Sequence, residues 1–122
     1  MNNINIRVST NYIKEQSQPE AGRFVYSYTI TLNNEGLEAA KLIGRHWIIT
    51  DARDSTQEVQ GIGVVGEQPR LEPGEEYTYT SGVVLETETG SMHGTYEMQN
   101  DEGTRFNADI PAFVLVPPHA MH

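Results

Sequence analysis

The chain has 122 residues, of which 17 are acidic and 8 basic, and its formal net charge is −9. Because binding to a phosphate backbone requires clustered Lys and Arg side chains, this charge argues against nucleic acid as a partner. The sequence contains no cysteine, which excludes disulfides, a thiol nucleophile and cysteine-ligated metals. A chain of this length buries roughly two-thirds of its unfolded surface, enough for one core. We therefore expect a single domain over 1–122, with an ordered core at about 4–117 and a tail at 118–122.

Long apolar runs are missing from the sequence. Neither the first residues nor any later stretch has the length of a signal peptide or a membrane span. We therefore expect a cytoplasmic protein that does not insert into a membrane.

Most of the chain alternates apolar with polar residues, which is typical of half-buried strands. The pattern is clearest at 24–32 and recurs at 4–8, 77–84, 92–98 and 106–110, with turn residues between these stretches. Residues 37–41 could form one helical turn, which is too short for an independent helix. These seven to eight strands predict an all-β, antiparallel immunoglobulin/fibronectin type III-like β-sandwich. The Cys–Trp–Cys pattern of antibody domains is absent, which favours the fibronectin-like variant.

Two strands carry additional signals. Residues 41–50 are apolar on both faces, which predicts a central strand covered on both sides. Alternation assigns their large side chains to two opposite faces: Ile43, Trp47 and Ile49 on one, and Leu42, His46 and Ile48 on the other. The same alternation separates Arg45 from His46 and makes Trp47 a core residue. We expect Arg45 to lay its stem on aromatic side chains or to pair with a carboxylate. Pro111 interrupts the last strand, which predicts an edge strand or a bulge there.

Residues 61–66 match the G-x-G-x-x-G pattern of dinucleotide-binding turns. That use of the pattern requires a helix after the last glycine, and Pro69 and Pro73 forbid one. Two interpretations stay open: a close strand crossing with both valines buried, or a surface that receives an extended segment of a partner, with both valines exposed. The candidate binding residues are Gly61, Gly63, Val64, Val65, Gly66 and Glu67.

The histidines are weak candidates for a metal site. His46 and His93 are each more simply explained as structural or surface residues. His93 and Glu97 share a strand face at roughly 13 Å, which is too far for them to act together. His119 and His122 lie in the tail, where they could hold a transition metal only weakly. Ser81 has no histidine at a recognisable spacing, so we expect neither a catalytic site nor a cofactor.

Six blocks of sequence, taken in order, resemble the bacterial ApaG family: Arg45-His46-Trp47, 59–69 (VQGIGVVGEQP), 71–74 (LEPG), 79–82 (YTSG), 90–96 (GSMHGTY) and 110–113 (IPAF). The resemblance runs from about Ile4 to Pro117 and implies a fibronectin type III-like sandwich without enzymatic activity. It also implies a genetic link to cobalt and magnesium resistance or efflux, and a gene that often neighbours a dinucleoside tetraphosphate hydrolase. Similar eukaryotic domains, attached to an F-box protein and to a DNA-polymerase-interacting protein, look like protein-interaction modules.

Three hypotheses of function follow. The favoured one is a non-catalytic protein-interaction module whose partner is another protein, with a homodimer left open. The second is binding of a phosphate compound at 61–66, or of a divalent cation through carboxylates and His46 or His93. The third and weakest is a hydrolase.

Overall fold

The structure is a computed structural model that describes residues 3–120. Its strands are β1 (Ile4–Tyr12), β2 (Phe24–Asn34), β3 (Ala40–Asp51), β4 (Thr56–Ile62), β5 (Arg70–Leu71), β6 (Glu76–Leu85), β7 (Gly90–Asn100) and β8 (Arg105–Leu115). Three short 3-10 turns, at Lys14–Gln16, Pro19–Ala21 and Pro118–Ala120, complete the regular structure. The described residues contain no helix with the length and apolar character needed to cross a membrane.

Two antiparallel sheets form the sandwich. One has the order β1-β2-β6, and the other has the order β4-β3-β7-β8, with the short β5 paired to the start of β3. The predicted all-β sandwich of seven to eight strands is therefore confirmed. The suggested helical turn at 37–41 is wrong, because Ala40 already belongs to β3 and pairs with both Leu71 and Asn100.

The core lies between the sheets and is centred on Trp47 of β3, which is 2% exposed. Its indole meets Tyr28 at a ring-centroid distance of 5.4 Å, Phe113 at 5.9 Å and Tyr96 at 6.3 Å, each in an edge-to-face arrangement. Such aromatic contacts add to the free energy gained by burial. The prediction that Trp47 is a core residue is confirmed.

A β-bulge at Ile43 changes the alternation of β3. Leu42 pairs with Met98, but Gly44 pairs with Glu97, so β3 has one residue more than β7 at this point. As a result Leu42 faces the core together with Trp47, and Ile43 does not. The predicted faces were wrong for Leu42 and Ile43, because strict alternation takes no account of an inserted residue.

The two ends of the larger sheet differ. At the β8 end, Met92 pairs with Phe113 and Gly94 with Ile110, so β8 holds an extra residue beside Pro111. Pro111 thus lies in an edge strand at an irregularity, as predicted. At the other end, β4 is an edge strand with an unbroken register from Gly44–Ile62 to Thr50–Thr56.

Candidate functional site

The sandwich is open along one side. β4 and β6 are edge strands of the two different sheets, and three cavities follow one another between them. Their volumes are about 280, 210 and 370 Å³. We call this concave side the β4–β6 groove. The cavity of about 280 Å³ is closed by residues of the glycine block, including Val64, Val65 and Gly66.

The glycine block starts in β4 and continues into a tight turn. Gly61 and Ile62 end the strand, and the N–H of Gly63 donates to the carbonyl of Ile43 at 2.8 Å. Gly63 has a φ of +68°, and a Cβ there would lie 2.4 Å from the carbonyl oxygen of Glu67. Only glycine fits both restrictions. The hydrogen bond from Gly63 to Ile43 also connects this turn to the bulge in β3.

Val64 and Glu67 bracket a two-residue turn and exchange two backbone hydrogen bonds of 2.8 Å each. The central residues, Val65 and Gly66, have φ values of +43° and +81°. Two positive values identify a type I′ turn, in which Asn-Gly is the preferred pair. A β-branched residue is strained at a positive φ. The two hydrogen bonds between Val64 and Glu67 therefore hold Val65 at the tip of the turn in a strained conformation.

The two valines of the block have opposite surroundings. Val64 is 0% exposed and belongs to the core, whereas Val65 is 54% exposed. The expectation that both are exposed is therefore wrong for Val64, because the first residue of the turn points back between the sheets, and the alternative that both are buried is wrong for Val65. Ile62, at the end of β4, is 80% exposed. The apolar surface of the block thus consists of Ile62 and Val65.

Arg45 lines two of the three cavities of the groove. It pairs with Gly61 on β4 and with Tyr96 on β7, so these three residues form one row across the sheet. The guanidinium extends over Gly61: a Cβ added there would lie 2.6 Å from Nη1 and 2.8 Å from Nη2 of Arg45. Nη1 donates to the carbonyls of Gly63 at 2.8 Å and Ile62 at 3.3 Å. The missing side chain of Gly61 therefore makes the room that the Arg45 guanidinium occupies.

Three residues with hydroxyl groups share a cavity with the guanidinium. Tyr28, Tyr79 and Ser81 line the same cavity as Arg45. Tyr79 also shares a hydroxyl–hydroxyl hydrogen bond with Tyr96. Burial raises the pKa of both phenols, an effect that the charge of Arg45 partly opposes. The hydroxyls of Tyr79 and Tyr96 are therefore neutral at physiological pH.

Arg45 differs from most other arginines of the chain in its ion pairing. A carboxylate lies within ion-pair distance of Arg7, Arg53, Arg70 and Arg105. Within residues 3–120, no carboxylate lies at that distance from Arg45, although acidic residues outnumber basic ones by about two to one. Arg45 is also only partly exposed. The groove thus contains a half-buried positive charge that carbonyls hold in place and no described carboxylate neutralises.

The histidines are not brought together. His46 lies on the opposite face of β3 from Arg45, as predicted, and its Nε2 lies 2.6 Å from Oε2 of Glu58. His93 is exposed opposite Ile48, and His119 contacts Glu88 at 2.9 Å. His122 lies outside the described residues. Between positions 3 and 120, no group of three or more His, Asp or Glu side chains converges.

Comparison with known proteins establishes the family. The sequence model of the ApaG domain matches residues 14–100. The chain belongs to the ApaG domain family. Protein ApaG of Thiobacillus denitrificans is 55% identical over 119 residues, which cover 98% of this chain and 94% of that protein. Protein ApaG of Pseudomonas aeruginosa is 54% identical with the same coverage.

Solved structures agree with this ApaG fold. A crystal structure of a Bordetella pertussis protein described as ApaA superposes with a TM-score of 0.94 at 43% sequence identity, covering 98% of this chain and 97% of that one. A structural-genomics target solved by X-ray diffraction gives a TM-score of 0.92 at 50% identity, covering 98% and 90%. The two-sheet architecture is therefore shared by solved relatives.

Sequence reasoning on this ApaG domain found the glycine block and missed its neighbours in space. It assigned Arg45 a general role, stacking on aromatics or pairing with a carboxylate, whereas the structure places it over Gly61. It did not single out Ile62 as an exposed apolar residue. The position of Arg45 could have been suspected from the pairing of β3 with β4. If the turn at 51–55 joins adjacent strands, Arg45 and Gly61 lie opposite each other.

Proposed function

We propose that this ApaG domain is a non-catalytic, cytoplasmic protein-interaction module that binds an extended segment of a partner protein along β4. The observation that carries the proposal is the open edge of β4, which ends in the exposed Ile62 next to the strained, exposed Val65. An uncovered strand edge offers unpaired amides and carbonyls to another chain, and nearby side-chain pockets add specificity.

Edge strands are normally protected against such pairing, by Lys or Pro, by bulges or by covering segments. β8 has Pro111 and an irregular register. The sequence of β4, TQEVQGI, contains neither Lys nor Pro, and its only charge is Glu58. In the part of the chain that the structure describes, no further strand pairs with the far side of β4. The contrast between the two edges supports β4 as the side that receives a partner.

The strain at Val65 supports the same surface. An unfavourable backbone conformation persists where the surrounding structure imposes it, and such positions cluster at functional sites. Asn or Gly would fit this turn without strain, whereas Val65 places an apolar side chain beside the groove. We infer that this side chain is retained for contact with the partner.

The alternative ligands have less support. A phosphate would need free amides or several cations, but the N–H groups of Gly63 and Val64 are bonded to Ile43 and Glu67. The cavity that the block closes has Arg45 as its only cation, and neither His nor carboxylate is among its lining residues. For the same reason we propose no catalysis there. In this proposal, the partner protein, and not the domain itself, accounts for the family's genetic link to cobalt and magnesium resistance.

Affinity capture from native cytoplasm tests the proposal, with Val65→Glu as the variant and Val114→Glu as its control. Val114 is 62% exposed on β8, so both substitutions add a charge at an exposed valine. We expect Val65→Glu to lose the partner and Val114→Glu to retain it, with both variants folded. Hydrogen exchange on the recovered complex should show protection at 56–62. A partner that protects β8 and not β4 would reject the proposed surface.

A further inference from the structure

The row that contains Arg45 continues to the free edge of the sheet. Tyr96, Arg45 and Gly61 lie side by side on β7, β3 and β4 and face the inside of the sandwich. A strand added beyond β4 would place its next residue about 4.8 Å from Gly61, with its side chain on the same face. The residue opposite Gly61 therefore belongs to the row of Arg45.

Gly61 gives that residue access to the cation. The guanidinium already extends over Gly61, to within 2.6 Å of the position of a Cβ. Any larger residue at this position would separate Arg45 from the edge. Because Gly61 has no side chain, a group on the added strand meets the guanidinium directly, as neighbouring side chains do across adjacent strands.

The guanidinium is prepared for an anionic acceptor. Two carbonyls hold its Nη1, which fixes the position of the group. Among the described residues, Nε and Nη2 have no hydrogen-bond partner, and no carboxylate pairs with Arg45. A planar guanidinium with free donors matches a carboxylate, which can accept two parallel hydrogen bonds.

The neighbouring row indicates a second feature of the segment. Val59 lies two residues before Gly61 on the same face, beside Trp47, and lines the cavity of about 210 Å³ with Val83. A residue opposite Val59 would therefore face apolar side chains. In an extended segment, the side chains opposite Val59 and Gly61 are separated by one residue that points to the other face.

We propose that the partner segment carries an Asp or Glu side chain opposite Gly61, bound by Arg45, and an apolar side chain two residues away opposite Val59. This inference rests on the proposed function, since it assigns the chemistry of the segment that β4 receives. A single cation favours a carboxylate with one negative charge over a phosphate dianion, because Glu67 and a net charge of −9 oppose additional negative charge.

Selection from a random 12-residue peptide library, displayed on phage, tests the inference with the full chain, Arg45→Gln and Arg105→Gln. Arg105 is a matched control because it is an exposed arginine on the opposite edge strand, β8. We expect the native chain and Arg105→Gln to enrich peptides with an acid two positions from an apolar residue. Arg45→Gln should enrich peptides without that acid.

A double-mutant cycle then locates the contact. Changing the peptide's acid to its amide should weaken binding to the native chain by roughly tenfold or more, and should change binding to Arg45→Gln little. Because the loss of binding to the peptide's amide form is measured with the native chain, a folding defect of Arg45→Gln cannot cause that loss. Amide NMR shifts should map the bound peptide to 56–62.

The outcomes separate the two proposals. Peptides that bind at β4 without preference for an acid would overturn the role of Arg45 and leave the interaction module intact. The role of Arg45 would also be overturned if the acid-to-amide change weakened peptide binding to Arg45→Gln as much as it weakens binding to the native chain. A peptide whose binding depends on its acid but that binds away from β4 would overturn it too. If no peptide is enriched, both the proposed edge and the inference drawn from it are rejected.

Discussion

The hydroxyl groups of Tyr79 and Tyr96 are hydrogen-bonded to each other across the two sheets. Tyr79 belongs to β6 and is 6% exposed, and Tyr96 belongs to β7 and is 0% exposed. One hydroxyl donates and the other accepts, so neither is left without a partner inside an apolar core, where an unpaired hydroxyl would be costly. The pair therefore joins the sheets at the inner wall of the β4–β6 groove.

This pair makes the stability of the domain sensitive to alkali. Burial raises the pKa of Tyr79 and Tyr96 above the ordinary value of 10.0, and burial also raises the pKa of Tyr26 to about 12. Above pH 10 the folded chain thus holds protons that the unfolded chain releases, so the free energy of unfolding falls as the pH rises. Denaturant midpoints should be level below about pH 9 and fall above pH 10. Tyr96→Phe should make that fall less steep, and a midpoint unchanged to pH 11 would contradict the assignment.

Removal of the central indole should be severely destabilising. Trp47→Ala leaves a cavity among Tyr28, Tyr96 and Phe113, and we expect a loss of roughly 3–5 kcal/mol in the free energy of unfolding. Trp47→Phe keeps most of the contact area and removes an indole N–H that has no partner among the described residues, so its cost should be smaller. Urea denaturation measures both changes. An unchanged midpoint for the alanine variant would show that Trp47 is not a core residue in solution.

Relief of the strain at Val65 should separate stability from binding. Val65→Asn creates the Asn-Gly pair that a type I′ turn prefers, and we expect a gain of about 1 kcal/mol in the free energy of unfolding. The same change removes an exposed apolar side chain and should weaken capture of the partner. Thermal denaturation and affinity capture provide the two readouts, with Val114→Asn as the control. A destabilised Val65→Asn would mean that the turn is not strained in solution.

Divalent cations should not bind tightly to the domain itself. Magnesium prefers several oxygen ligands in near-octahedral geometry, and the residues at 3–120 bring no three candidate ligands together. We therefore expect calorimetry with cobalt or magnesium to show no stoichiometric site of micromolar affinity. The protein for this measurement lacks residues 119–122, whose histidines could contribute weak binding of their own. Micromolar binding with one ion per chain would restore the metal hypothesis.

Phosphate compounds should leave the glycine block unperturbed. The Gly63 and Val64 amides are already bonded within the protein, and Pro69 and Pro73 prevent the helix that a dinucleotide site requires. In titrations with ATP or pyrophosphate, the amide NMR signals at 61–66 should not shift. Saturable shifts confined to those residues would show instead that the block binds phosphate.

The strands could be predicted from the sequence because alternation is a local property. The edge position of Pro111 was also predictable from a local property, because proline has no N–H to donate to a neighbouring strand. The surroundings of Arg45 were not, because they depend on the pairing of β3 with β4 and on the carbonyls that the turn at 63–67 brings beside it. The positive φ of Val65 could not be predicted from the sequence either. Valine is rare at such positions, so the turn is imposed by the Val64–Glu67 hydrogen bonds and not by local preference.

The extra residue at Ile43 decides which side chains of β3 face the core and which face the solvent. If Ile43 were instead paired in register, with Leu42 kept in the core, every residue of β3 after Leu42 would turn to the opposite face. Arg45 and Trp47 would then turn to the solvent, and the imidazole of His46 would turn inward with Ile48. The unpaired residue therefore decides which side chains of β3 fill the core and which meet the solvent, and it keeps the cation in the groove without requiring any particular amino-acid type around it.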